Sequence, residues 1–292
     1  MNSILKKIRQ SDAFNKENRI PYTKAVMLMS LFTFTFLGAE FLFVNMISNT
    51  ASGSQSVAAQ NYALGISVIG FILYPLFCRF CKGTLQSVIS MGASVLSVVC
   101  FFLICRHSSY VLTLCMGLLL FLILGAFGSA VFYKSLCLLE DNTYIARLVG
   151  ISYMLGILLQ IANSNLVQSA AFEAVILSVF TLILAVTLMR AEKNSIVPAF
   201  SKNNLSEDIG KTGKGSLKVG IILALFVALL TCIFSTLDNA VTLYHASGAV
   251  NIGQWPRILL ALSGLLAGFL FDIACRKYMS MIMYCVMILS TI

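Results

Sequence analysis

The sequence predicts an all-α, polytopic membrane protein of about nine spans, and three observations carry that expectation. Of 292 residues, 59% are hydrophobic and 11% are charged, against about 45–50% apolar and about 25% charged in soluble domains. Apolar stretches near the roughly 20 residues that cross a bilayer as a helix recur along the chain. The charges fall between those stretches. A net charge of +9 spread in this way sets membrane orientation and does not form the contiguous basic face that nucleic acid requires, so no nucleic-acid partner is expected.

Taken in order, residues 1–24 form a basic tail: Lys6, Lys7, Arg9, Lys16, Arg19 and Lys24 against Asp12 and Glu17. The apolar core comes too late for a signal peptide, and no small-residue cleavage site follows. Residues 25–189 hold six spans, at 25–46, 57–78, 84–105, 110–133, 143–166 and 170–189, joined by short turns. Residues 190–217, rich in Lys, Ser, Asn and Gly, read as a cytoplasmic linker. Residues 218–292 read as a partial second bundle with spans at 218–240, 254–272 and 279–292. Trp255, Pro256 and Arg257 open the eighth span as an interfacial aromatic, a helix-start proline and an outer base.

With a cytoplasmic amino terminus, the tail, Arg79, Lys82, Lys134, Arg147, the linker, Arg276 and Lys277 all face inward, while Arg106 and Arg257 face outward. This asymmetry follows the positive-inside rule and places the chain in the cytoplasmic membrane. The nine cysteines lie mostly within apolar stretches, where Cys packs as a small hydrophobe. Cys78 and Cys81 have metal spacing but no partner pair nearby, so no metal or other cofactor is expected.

Gly268-Phe269-Leu270-Phe271-Asp272-Ile273-Ala274-Cys275-Arg276-Lys277 reads as a short link between two apolar runs. It resembles the G-x-L-x-D-x-x-G-R-K motif of the major facilitator superfamily, a family of secondary transporters. Gly268, Leu270, Asp272, Arg276 and Lys277 match; Cys275 replaces the usual glycine. A simpler reading is that Gly264 and Gly268, at i and i+4, let membrane helices pack closely. The run from Ile72 to Phe80 overlays the run from Phe269 to Lys277, sharing a leucine, an aromatic and a Cys-Arg pair that contains Arg79; Pro75 stands where the acid belongs. Six helices, a basic linker and a second copy form the layout of parallel facilitator halves. The resemblance implies twelve helices, so the chain is expected to be a fragment cut within or after its ninth. It also implies an inner gate built from Gly268, Asp272, Arg276, Lys277 and Arg79.

Ionisable groups inside spans are costly and usually face a cavity. Glu40 in the first span and Asp238 in the seventh are such groups, and the resemblance has both spans line the central route. Either carboxylate can exchange a proton or pair with a cationic solute. Gln160 and Asn163 on the fifth span can hydrogen-bond a ligand, although such residues also join helices to one another. Lys134 and Arg147 read as snorkelling bases or as inner-gate anchors. The run Gly210–Ser216 lacks phosphate-loop spacing, and no nucleophile or acid–base constellation supports an enzyme. The expected function is transport of a small solute by alternating access, possible with proton coupling. The alternative is a membrane sensor on a transporter-like fold, fused to a signalling or DNA-binding domain.

Overall fold

The computed structural model describes residues 16–80, 84–106, 109–139, 145–194 and 255–273. These form α1 (Lys16–Ser48), α2 (Gly53–Phe80), α3 (Thr84–Arg106), α4 (Tyr110–Leu138), α5 (Ile145–Leu166), α6 (Ala170–Asn194) and α7 (Trp255–Ile273), with no strand among the described residues. Helices α1 to α6 are each long and apolar enough to cross a membrane. The chain is a multi-pass membrane protein whose described residues form an all-helical bundle. Of the nine expected spans, those at 218–240 and 279–292 lie outside the described residues. The eighth is α7, whose apolar stretch Arg257–Phe269 is shorter than a full span.

Two boundaries differ most from expectation. Helix α1 starts at Lys16, inside the expected tail; its 33 residues reach about 50 Å at 1.5 Å per residue, well beyond the about 30 Å of hydrocarbon. Helix α6 continues to Asn194, into the expected linker. Helix α7 ends at Ile273, within a residue of the expected end of the eighth span, so the first part of the expected link is helical. Helical hydrogen bonding satisfies backbone groups without water, so a span has no reason to stop at its last apolar residue.

Helices α1 and α4 form the centre: 56% and 50% of their spanning windows are buried, against 11% for α2. They cross antiparallel through a phenylalanine cluster. Phe121 meets Phe36 edge-on at 5.5 Å and Phe43 at 5.8 Å. Two glycines make room for it. A Cβ on Gly117 would lie 2.1 Å from the Phe43 ring, and one on Gly128 2.7 Å from that of Phe32. Hydroxyls in α1 are satisfied locally: Ser30, Thr33 and Thr35 donate to the carbonyls of Val26, Met29 and Leu31, which suits an apolar surrounding. Outward-facing Val68, Ile69, Ile72, Val88 and Val95 on α2 and α3 leave an apolar exterior suited to lipid.

The packing has an internal order. Helix α1 lies along α5, and α4 lies along α2; α1 also packs on α6, α4 on α3, and α3 on α6. Exchanging α1, α2 and α3 for α4, α5 and α6 carries each of these contacts onto another or onto itself. In the α1–α5 pair residue numbers rise together, Val26 with Ser152 and Gly38 with Gln160. Helices α2 and α4, which cross closely at Ser67, Gly70, Leu122 and Gly125, are likewise separated by an odd number of helices. Each unit has three helices, so the second runs opposite to the first. For these contacts the two units correspond as an inverted three-plus-three pair, whereas α1 also touches α2 with no counterpart of like extent between α4 and α5.

Candidate solute and proton site

The polar groups within the spans collect at the end of the bundle that carries the α1–α2 and α5–α6 turns. Glu40 on α1 is half-buried and accepts a hydrogen bond of 2.8 Å from Gln60 Nε2 on α2. Tyr153 on α5 lies within electrostatic reach of the same carboxylate. One residue on, the Phe41 ring lies 5.2 Å under the guanidinium of Arg257, at the start of α7. The first turns of α7 therefore stand beside the Glu40 region, where a cation–π contact holds an exposed base.

A second cluster lies on another side of α1. Gln160 and Asn163 on α5 and Glu173 on α6 are 5%, 7% and 6% exposed. The three-residue α5–α6 turn brings Asn163 level with Glu173, and Asn163 Nδ2 donates to Glu173 Oε1 at 3.3 Å. The Gln160 carboxamide lies against the Glu173 carboxyl, yet neither its oxygen nor its nitrogen has a hydrogen-bond partner of normal geometry. Gly38 on α1 makes this arrangement possible: a Cβ there would lie 2.5 Å from Leu177 and 3.1 Å from Gln160 Oε1. Cys105 on α3 closes the corner, its thiol donating to the Ala170 carbonyl at 3.3 Å.

No family model, curated protein or solved structure matches the chain. The site is therefore read from its own geometry. Of the residues singled out in the sequence, Gln160 and Asn163 come together, and Glu40 stands apart from them, bonded to α2. Asp238, Arg276 and Lys277 lie outside the described residues. Asp272 and Arg79 have described helical backbones, at the ends of α7 and α2.

Gly268 has a clear packing role. A Cβ on it would lie 2.7 Å from the Ala146 carbonyl, and one on Gly150 would lie 2.6 Å from the Gly264 carbonyl. Gly264 and Gly268 thus seat α7 on α5, as the simpler reading of that pair expects.

Two bases at the opposite end make contacts with neutral groups. Lys134 Nζ donates to the Leu188 carbonyl of α6, and the Arg147 guanidinium lies 4.8 Å from the Phe269 ring centre. Beside Lys134, a largely apolar cavity of 210 Å³ opens among α2, α3, α4 and α6, lined by Tyr74, Phe77, Gln86 and Phe127 among others. No group of three or more potential metal ligands occurs among the described residues.

Sequence reasoning missed Glu173 and Gln60. Glu173 sits in the first turn of its helix, where an acid is usually a solvated complement to the helix dipole. Its spacing across a short turn from Asn163 was the available signal.

Proposed function

We propose that this chain is a secondary active transporter of the major facilitator type, moving a small solute across the cytoplasmic membrane by alternating access with proton coupling. The observation that carries this reading is the inverted packing of α1–α3 on α4–α6. Three-plus-three inverted repeats are nested within each six-helix half of that superfamily, and a symmetric pair of units gives rocking motions a physical basis. The motif from Gly268 to Lys277 and the overlay of Ile72–Phe80 support the same assignment. On this reading the turn end of the bundle faces outward, and residues 190–217 face the cytoplasm.

Glu40 is the proposed coupling residue. A carboxylate in a span is stabilised by water, by a cation or by protonation, and Gln60 can pair with either form of the acid because a carboxamide both donates and accepts. Asp238, about one repeat distance further along the sequence, is proposed to share this role, with Gln160 and Asn163 as ligand contacts. Asp272, Arg276, Lys277 and Arg79 would form the inner gate.

The test uses proteoliposomes carrying the protein and a pH-sensitive dye, challenged with a panel of amino acids, sugars, organic cations and hydrophobic drugs. Transport predicts solute-driven proton movement for at least one class. Glu40→Gln should abolish gradient-driven accumulation while keeping exchange between equal pools, because Gln mimics the protonated acid. A folded protein that moves no proton with any solute class would contradict the proposal and favour a sensor.

A further inference from the structure

The Glu173 cluster differs chemically from the Glu40 pair. Its acid is buried rather than half-exposed, its hydrogen bond from Asn163 is long at 3.3 Å, and beside it stands a carboxamide, 5% exposed, with both polar atoms unsatisfied. A first-turn acid alone would signify only a favourable interaction with the helix dipole. Gln160 is the additional fact. An unsatisfied buried amide costs about 1–3 kcal/mol, and Gly38 leaves the space that lets it lie there.

We infer that Glu173 is a proton-binding site whose two charge states are read by the Gln160 carboxamide. In the charged state, Gln160 turns its N–H toward the carboxylate. When a hydronium ion gives its proton to a Glu173 oxygen and leaves as water, the buried charge disappears. The Gln160 amide then turns its oxygen toward the acid and accepts the new O–H. A carboxamide is the side chain suited to this, having one acceptor oxygen and a two-proton donor on the same plane. A proton fits better than a metal cation, because Asn163 presents N–H to the carboxyl and an N–H repels a cation.

The other titratable groups around α6 leave Glu173 in command of its own proton. On α3 the Cys105 thiol is engaged with the Ala170 carbonyl, and Arg106 beside it is exposed. On α1, Glu40 is bonded to Gln60, and Lys24 lies at the far end. On α5, Tyr153 faces α7 at Gly264, and Arg147 lies at the far end under Phe269. Tyr110 opens α4, and the charged residues of α6 itself, Arg190, Glu192 and Lys193, occupy its last turns. Among the described residues the groups that reach Glu173 are the two carboxamides and the Cys105 thiol, with no basic side chain paired to it.

The inference stands on α1, α5 and α6 and needs no solute, so its test is independent of transport. Purified full-length protein is titrated by infrared difference spectroscopy in N-methylglucamine chloride. A protonated-carboxyl C=O band should titrate in wild type, persist in Glu40→Gln and vanish in Glu173→Gln. Gln160→Leu removes a partner from both charge states and should shift the frequency of the protonated-carboxyl band, which a carboxamide that never contacts the acid would leave in place. Should Glu173→Gln fail to fold, Glu173→Asp must move the band. A band unchanged in the folded Glu173 variant would overturn the inference. So would a wild-type band abolished when sodium or potassium replaces N-methylglucamine, which would make this a metal-cation site.

Discussion

The two lengthwise seams of the bundle, α4 on α2 and α1 on α5, are related by the inverted repeat and built from different chemistry. The α2–α4 seam brings backbone against backbone, with the Phe71–Phe132 ring pair beside it. A Cβ on Gly70 would lie 2.0 Å from the Leu122 carbonyl, and one on Gly125 1.9 Å from the Ser67 carbonyl. The α1–α5 seam is polar along its length: Ser152 Oγ donates to the Val26 carbonyl at 3.3 Å, Gly156 rests on Thr33, and Gly38 admits Gln160. Lipid supplies no hydrophobic drive between helices, so close packing and hydrogen bonds must hold both seams. One of them has no tolerance for an added atom, whereas the other contains groups with unused hydrogen-bonding capacity. Symmetry of fold is thus compatible with a division of labour, a fixed seam beside a seam able to host chemistry.

The largest expected effect breaks the fixed seam. Gly125→Leu places side-chain atoms on the Ser67 carbonyl and should cost more than the about 1–3 kcal/mol of ordinary overpacking, giving aggregated or protease-sensitive protein. Gly65→Leu and Gly92→Leu are the matched controls. Nothing lies within 4 Å of a Cβ at either position, so both should purify normally by size-exclusion chromatography. Equal damage from all three would mean that glycine matters there for reasons other than contact.

A smaller effect is expected where α7 joins α5. Gly268→Leu should separate those helices and leave α1–α6 intact. A disulfide engineered between α5 and α7 should then form slowly in the variant, while one between α2 and α4 forms as in wild type. Loss of both would show that α7 is needed for the whole bundle to fold.

Much of this was legible in the sequence. Six apolar runs gave six spans, because lipid demands a full-length apolar helix and little else. Gly264 and Gly268 were readable as a packing pair from spacing alone, although their partner, Gly150, was not. Gln160 and Asn163 stood out as polar residues within a span. Their neighbour Glu173 did not, because its place in a helix's first turn resembles that of any interfacial acid. Gln60 as the partner of Glu40 depends on which faces of α1 and α2 meet, and helices that are apolar nearly all round give periodicity no face to report. The inverted order of the seams is a property of contacts between distant segments and has no local signal.

The smallest expected effect tests the central claim, that the polar groups of the α1–α5 region host chemistry and do not merely join helices. The measurement is the thermal stability, in one detergent, of Asn163→Ala, Glu173→Gln and Glu40→Gln beside wild type and Gly125→Leu. Hydrogen bonds between membrane helices average about 0.6 kcal/mol, so the three polar variants should melt close to wild type while Gly125→Leu does not survive. Polar variants that lose as much stability as Gly125→Leu would contradict the account and return Glu40, Asn163 and Glu173 to the role of structural glue.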